Sequence, residues 1–197
     1  KSLKETLKGK NHAEVDSFVA NNIHFLPEIL NDTSLCSEVL PKLLPERVSV
    51  AIVKATKTKE KNNILRTLAL SNDKFFTDTF SNNTRFLDYA ITRKSSSLLS
   101  SMPRLMTAMK ILHIRSFSPN ARRNIAIAVV SLEKDFKSLN VTKDSVEGKL
   151  LHTVYASTYN LCPKGVTVRQ YTDIFISAFG GQELPGSIDR NNTYYQS

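Results

Sequence analysis

The side chains able to do covalent or metal chemistry are few and scattered in this chain. Its histidines are His12, His24, His113 and His152, and its cysteines are Cys36 and Cys162. No histidine pairs with another histidine or with a cysteine at a metal-ligand spacing. Neither a G-x-S-x-G elbow nor an H-E-x-x-H helix occurs. Cys162 precedes Pro163 and follows His152 by ten residues, which matches no nucleophile signature. The six glycines supply neither G-x-G-x-x-G nor G-x-x-x-x-G-K, so no Gly-rich phosphate loop is present. Two cysteines this far apart make no disulfide framework and read as buried free thiols of a reducing, intracellular compartment. Cytoplasm, nucleus and organelle matrix all fit. The expectation is a protein that is not an enzyme, with no metal and no cofactor.

The chemistry the sequence does favour is the binding of anions. The net charge is +9, and it is concentrated. Between Asp88 and Glu133 no acidic residue occurs, while Arg93, Lys94, Arg104, Lys110, Arg115, Arg122 and Arg123 all fall there. Over 47–132 there are 15 Lys/Arg against 4 Asp/Glu, and the rest of the chain is slightly acidic. Like charges gathered in one region repel, and a polyanion removes that cost while releasing counterions. Nucleic acid is the favoured partner, RNA above all. An acidic protein would serve as an alternative.

Two clusters stand out within this region. Lys54, Lys57, Lys59 and Lys61, with Arg66 beyond them, surround an expected connection between two helices, where lysines suit phosphate contact without base reading. The segment Ser118-Pro119-Asn120-Ala121-Arg122-Arg123 opens a helix with two arginines, where the macrodipole favours acids. Local rules are often broken at functional sites. Backbone N–H groups with Arg122, Arg123 and Arg115 would there form a phosphate site; otherwise the arginines pair with a carboxylate such as Asp88 or Glu133. Aromatic residues near the basic region, Phe75, Phe76, Phe80, Phe86 and Tyr89, follow a helical spacing that suits a core better than base stacking. Tyr194 and Tyr195 in the tail are expected to be exposed.

The elements that must position these residues are helices. Ile125, Val129, Leu132, Phe136 and Leu139 recur at alternating spacings of four and three, predicting one long central helix over 119–139. A helix is expected after Thr142, and the T-x-x-Q box at Thr167–Gln170 announces another, stopped by Gly180-Gly181. Earlier helices are expected at about 12–22, 34–43, 46–56, 60–70, 73–80, 83–93 and 103–116. The fold class is therefore all-α, with about ten helices, as an irregular helical bundle or a short α-solenoid of stacked helical hairpins. In a solenoid the basic face would be concave and would follow an extended strand.

A weak internal repeat supports the solenoid. Asn11, Asn21, Asn22, Phe25 and Leu26 recur as Asn72, Asn82, Asn83, Phe86 and Leu87, 61 residues later. With one inserted residue, Pro41-Lys42-Leu43-Leu44 matches Pro103-Arg104-Leu105-Met106, giving a two-fold repeat of 11–56 and 72–116. Coincidence in an Asn-rich chain is the competing explanation. The expected organisation is a basic N-terminal arm at 1–10, one helical domain at 11–181 and a mobile C-terminal tail at 182–197. Because the sequence starts at Lys1, upstream residues or a removed targeting peptide are expected.

No apolar run reaches the ~18 residues a membrane span needs. Four N-x-S/T sequons occur, at Asn31, Asn82, Asn140 and Asn191, and the first three fall where helices should begin, so capping accounts for them. Two further readings compete with RNA binding. One is a protein–protein interaction or scaffold module. The other is a viral nucleoprotein or coat-like assembly protein, self-associating through its terminal arms.

Overall fold

Short polar residues start most of the helices. In the computed structural model, which describes residues 2–180 apart from the side chains of Lys94 and Ser95, seven residues cap a helix with their own side chains. Ser2, Asn11, Asp32, Asn72, Ser118, Ser145 and Thr167 each accept the N–H three residues on. They open α1 (Leu3–Leu7), α2 (His12–Asn21), α4 (Thr33–Val39), α7 (Asp73–Ser81), α10 (Pro119–Ser131), α12 (Val146–Thr158) and α13 (Val168–Ala178). Proline in the first turn starts α3 (Leu26–Asn31), α5 (Pro45–Lys54) and α9 (Met102–Ile114). The remaining helices are α6 (Thr58–Leu70), α8 (Thr84–Leu98) and α11 (Glu133–Lys137). Among the described residues there is no strand, and the all-α expectation holds.

The thirteen α-helices among the described residues exceed the expected ten for local reasons. Residues 3–7, expected as part of an arm, form α1: Leu7 is buried and Lys4 Nζ donates to Ser34 Oγ at 3.2 Å. The stripe over 119–139 is one line of apolar residues but two helices. Leu132 leaves the helical region (φ −105°, ψ 28°), and Glu133 and Asp135 favour a fresh helix start. The sequons also play other parts than expected. Asp32, not Asn31, caps α4, Asn82 Nδ2 donates to the Asp78 carbonyl near the end of α7, and Asn140 sits at φ 48°. The tail 182–197, with Tyr194, Tyr195 and Asn191, lies outside the described residues, as does Gly181.

The chain forms two units, Lys1–Phe86 and Leu87–Ser197. In the first, α3 and α4 pack on each other and both pack on α6. The core holds Val15, Val19, Leu26, Leu30, Leu35, Ile64, Leu68, Phe76 and Phe80. Asp16, nearly buried, accepts the Leu44 N–H at 2.9 Å at the start of α5 and pairs with Arg47 at 3.3 Å. A carboxylate so placed favours the positive end of the helix.

In the second unit α9, α10 and α12 pack together and α11 lies on α13. Its centre is aromatic: Phe136, Tyr155, Tyr171 and Phe175 are all buried, with neighbouring rings 5.2–5.5 Å apart. Two buried polar pairs tie α12 to α13. Tyr155 Oη lies 2.7 Å from Thr172 Oγ1, and Tyr171 Oη 2.6 Å from Thr158 Oγ1. Each hydroxyl buried here has a partner, so the cluster carries little desolvation cost. Burial raises the Tyr171 hydroxyl pKa well above its ordinary value.

Candidate nucleic-acid interface

The hydrogen bonds recur at the same interval as the sequence. Asn11 Oδ1 accepts the Glu14 N–H at 2.9 Å, and Asn72 Oδ1 accepts the Phe75 N–H at 2.8 Å. Asn22 Nδ2 donates to the Phe18 carbonyl at 2.9 Å, and Asn83 Nδ2 to the Thr79 carbonyl at 2.8 Å. In the first unit Asn63, on α6, donates to the Leu30 carbonyl at 2.8 Å. In the second, Asn124, on α10, donates to the Ile91 carbonyl at 2.9 Å. Donor and acceptor both move by 61 residues in every case. The last pair lies beyond the expected repeat limits of 56 and 116, so the correspondence runs on through α6 and α10. Sequence reading missed it, although Asn63 and Asn124 obey the same offset.

This register places the two basic clusters at equivalent positions of the two units. Lys54, closing α5, corresponds to Arg115, which follows α9. Lys61, in the first turn of α6, corresponds to Arg122, in the first turn of α10. Each cluster therefore surrounds the junction into an equivalent helix. Lys54, Lys57 and Lys59 are exposed around the α5–α6 junction, Lys61 is half-buried and Arg66 is exposed one turn later. Lys57 and Lys59 lie in the cap and first turn of α6 rather than on a long loop. The start of α6 has its own carboxylate: Glu60, buried, accepts the Lys57 N–H at 3.0 Å.

At α10 the arrangement differs from the expected phosphate site. Asp88, on α8, takes the Ser118 N–H at 2.7 Å and the Ser118 hydroxyl at 2.9 Å. Its carboxylate supplies the negative charge that the helix start favours. Arg122 turns away and donates through Nη1 to the Ser157 carbonyl at 3.2 Å, in the last turn of α12. There a cation meets the negative end of a helix and one of its unpaired carbonyls. Arg123, exposed, donates to Asn120 Oδ1 at 3.1 Å. The two neighbouring arginines therefore do different things: Arg122 joins two helices and Arg123 faces solvent. The backbone N–H groups are not gathered with both arginines into one anion pocket.

The other cations spread over the second unit. Lys110 and Arg115 are exposed on and just after α9, and Arg104 is half-buried at its start. Arg93 is exposed on α8, its guanidinium 4.7 Å from the centre of the Tyr89 ring. At that distance the cation is attracted by the ring's negative face. Lys94 lies in the same helix. No family model, curated protein or solved structure matches this chain. Of the aromatic run, Phe76, Phe80 and Phe86 are buried in the first unit, Phe76 meeting Phe80 edge to face and Phe80 stacking on Phe86, as core packing requires.

The chemical inventory is otherwise plain. Among the described residues no cluster of three or more His, Cys, Asp or Glu is placed to hold a metal ion. None of the helices described is long and apolar enough to cross a membrane. An open cavity of about 410 Å³ is lined by Lys143, Asp144, Lys149, His152 and Thr153. Cys36 is buried 3.8 Å from Thr67 Oγ1, and burial pushes its thiol pKa up to about 11. Burial also raises the Cys162 pKa. Neither is activated as a nucleophile, since activation lowers a thiol pKa.

Proposed function

We propose that this chain binds single-stranded RNA, mainly through its phosphates, and does not catalyse a reaction on it. The observation that carries this reading is the placement of exposed cations at equivalent junctions of a 61-residue repeat, Lys54 with Arg115, in a region whose second half lacks acids from 89 to 132. Exposed Lys57, Lys59, Arg66, Arg93, Lys110 and Arg123 extend the charge. Solvated cations on long side chains contact phosphates without reading bases. A helical repeat with no activated cysteine, metal cluster or Gly-rich phosphate loop among its described residues suits binding better than catalysis.

The test is a titration of fluorescent single-stranded RNA at several salt concentrations, beside DNA of the same length. Affinity should fall steeply with salt, with a log–log slope of about −0.7 per phosphate contacted. Absence of binding to either strand at low salt would overturn the proposal. A pull-down with an acidic protein fraction would then take its place.

A further inference from the structure

The same 61-residue register aligns two apolar side chains that have no place in a core. Val53, near the end of α5, is 78% exposed, and Ile114, ending α9, is 67% exposed. They differ by 61 residues, and each is followed at once by an exposed cation, Lys54 or Arg115. Single exposed aliphatics are ordinary on a protein surface. Here the aliphatic–cation pair recurs at the same 61-residue offset as the Asn63 and Asn124 hydrogen bonds.

We infer that each pair is a contact for one nucleotide, the aliphatic side chain lying on a base and the adjacent cation on a phosphate. This rests on the RNA-binding reading above. A nucleotide is itself a flat apolar face joined to an anion, so the pair matches it in both character and order. A peptide fits less well. A docked amphipathic helix needs anchors three and four residues apart along an apolar groove. Lys54, Thr56 and Lys57 follow Val53, and His113, Arg115 and Ser116 surround Ile114, all of them exposed and polar. The apolar contact at each junction is thus narrow, as a single base face requires. An aliphatic face is indifferent to which base it meets, so these contacts distinguish bases from no base without selecting among the four.

Val53→Ser with Ile114→Ser, and separately Lys54→Gln with Arg115→Gln, test this against a normal RNA strand and an abasic strand of equal length. Wild-type protein should hold the normal strand more tightly. The serine pair should weaken normal-strand binding by about three- to tenfold per position, leaving abasic affinity and the salt slope as they were. The glutamine pair should weaken both strands alike and lower the slope. Since both aliphatics are exposed, circular dichroism and melting should confirm that the serine variant folds as wild type. If that variant binds both strands like wild type while the steep salt dependence persists, the base contact is refuted and the phosphate reading stands. If wild type binds neither strand at low salt, both fall. If the serine pair instead abolishes binding of a fluorescent oligoglutamate peptide and leaves RNA untouched, the surface belongs to an acidic protein.

Discussion

Replacing the two equivalent asparagines should cost unequal amounts, although their hydrogen bonds differ by only 0.1 Å in length. The difference lies in the acceptors. Leu30 is the penultimate residue of α3, so its carbonyl has no partner within the helix, and the residue is fully buried. Asn63 Nδ2 supplies a partner, while Asn63 Oδ1 accepts the Thr33 hydroxyl at 3.0 Å. Asn63→Ala strands a buried carbonyl, while the hydroxyl of exposed Thr33 turns to water, and should cost about 2 kcal/mol. Ile91 lies in the middle of α8, where the helix ladder already serves its carbonyl. Asn124 adds a second bond there, and Asn124→Ala should cost only about 0.5–1 kcal/mol. Alanine's higher helix propensity helps both variants equally and cancels in the comparison. Urea titrations followed by circular dichroism give the two values, with hydrogen exchange assigning each loss to its own unit. Equal costs, or a larger cost at Asn124, would refute the argument from the acceptors.

Three other outcomes follow from the geometry. Arg122→Gln should lower the melting temperature of the second unit, losing about 1 kcal/mol from the end of α12, whereas Arg123→Gln should leave melting unchanged and reduce only the salt slope of RNA binding. Gly148→Ala should destabilise the second unit by about 1–3 kcal/mol in thermal melts, because its Cβ would meet the Thr142 backbone carbonyl, which cannot move aside as a flexible side chain can. With its pKa raised to about 11, Cys36 keeps its proton in the folded state after the unfolded thiol has lost it. The folded state then binds more protons, so stability should fall as pH rises from about 9 to about 11, and Cys36→Ser should flatten that part of the profile.

The helices were legible because caps and stripes agreed in most segments. Thr167 with Gln170, Ser118 with Pro119, and Asn72 all start helices where a side-chain acceptor precedes an apolar stripe. The failures lie where two local signals conflict. Over 119–139 the stripe is continuous, but Glu133 and Asp135 start a new helix within it. Residues 3–7 carry one deeply buried leucine, too little periodicity to reveal α1. The repeat was visible in five identical residues, yet its strongest expression, Asn63 and Asn124, was not, since an asparagine's partner 33 residues earlier leaves no local trace. The arginines of α10 broke a local rule for a tertiary reason. Spacing along the chain could not show that Asp88 meets the start of α10 or that Ser157 awaits Arg122.

The tyrosines have an optical consequence. The chain has no tryptophan, and its six tyrosines, at 89, 155, 159, 171, 194 and 195, all fall within Leu87–Ser197. Tyrosine fluorescence and tyrosine absorbance changes therefore observe the second unit alone, whereas backbone dichroism observes both. Coincident transitions by the two methods would mean that the units unfold as one, and separated transitions that each melts on its own. Burial raises the Tyr171 phenol pKa, so in alkali its ionisation should lag behind that of exposed tyrosines and accompany the parting of α12 and α13.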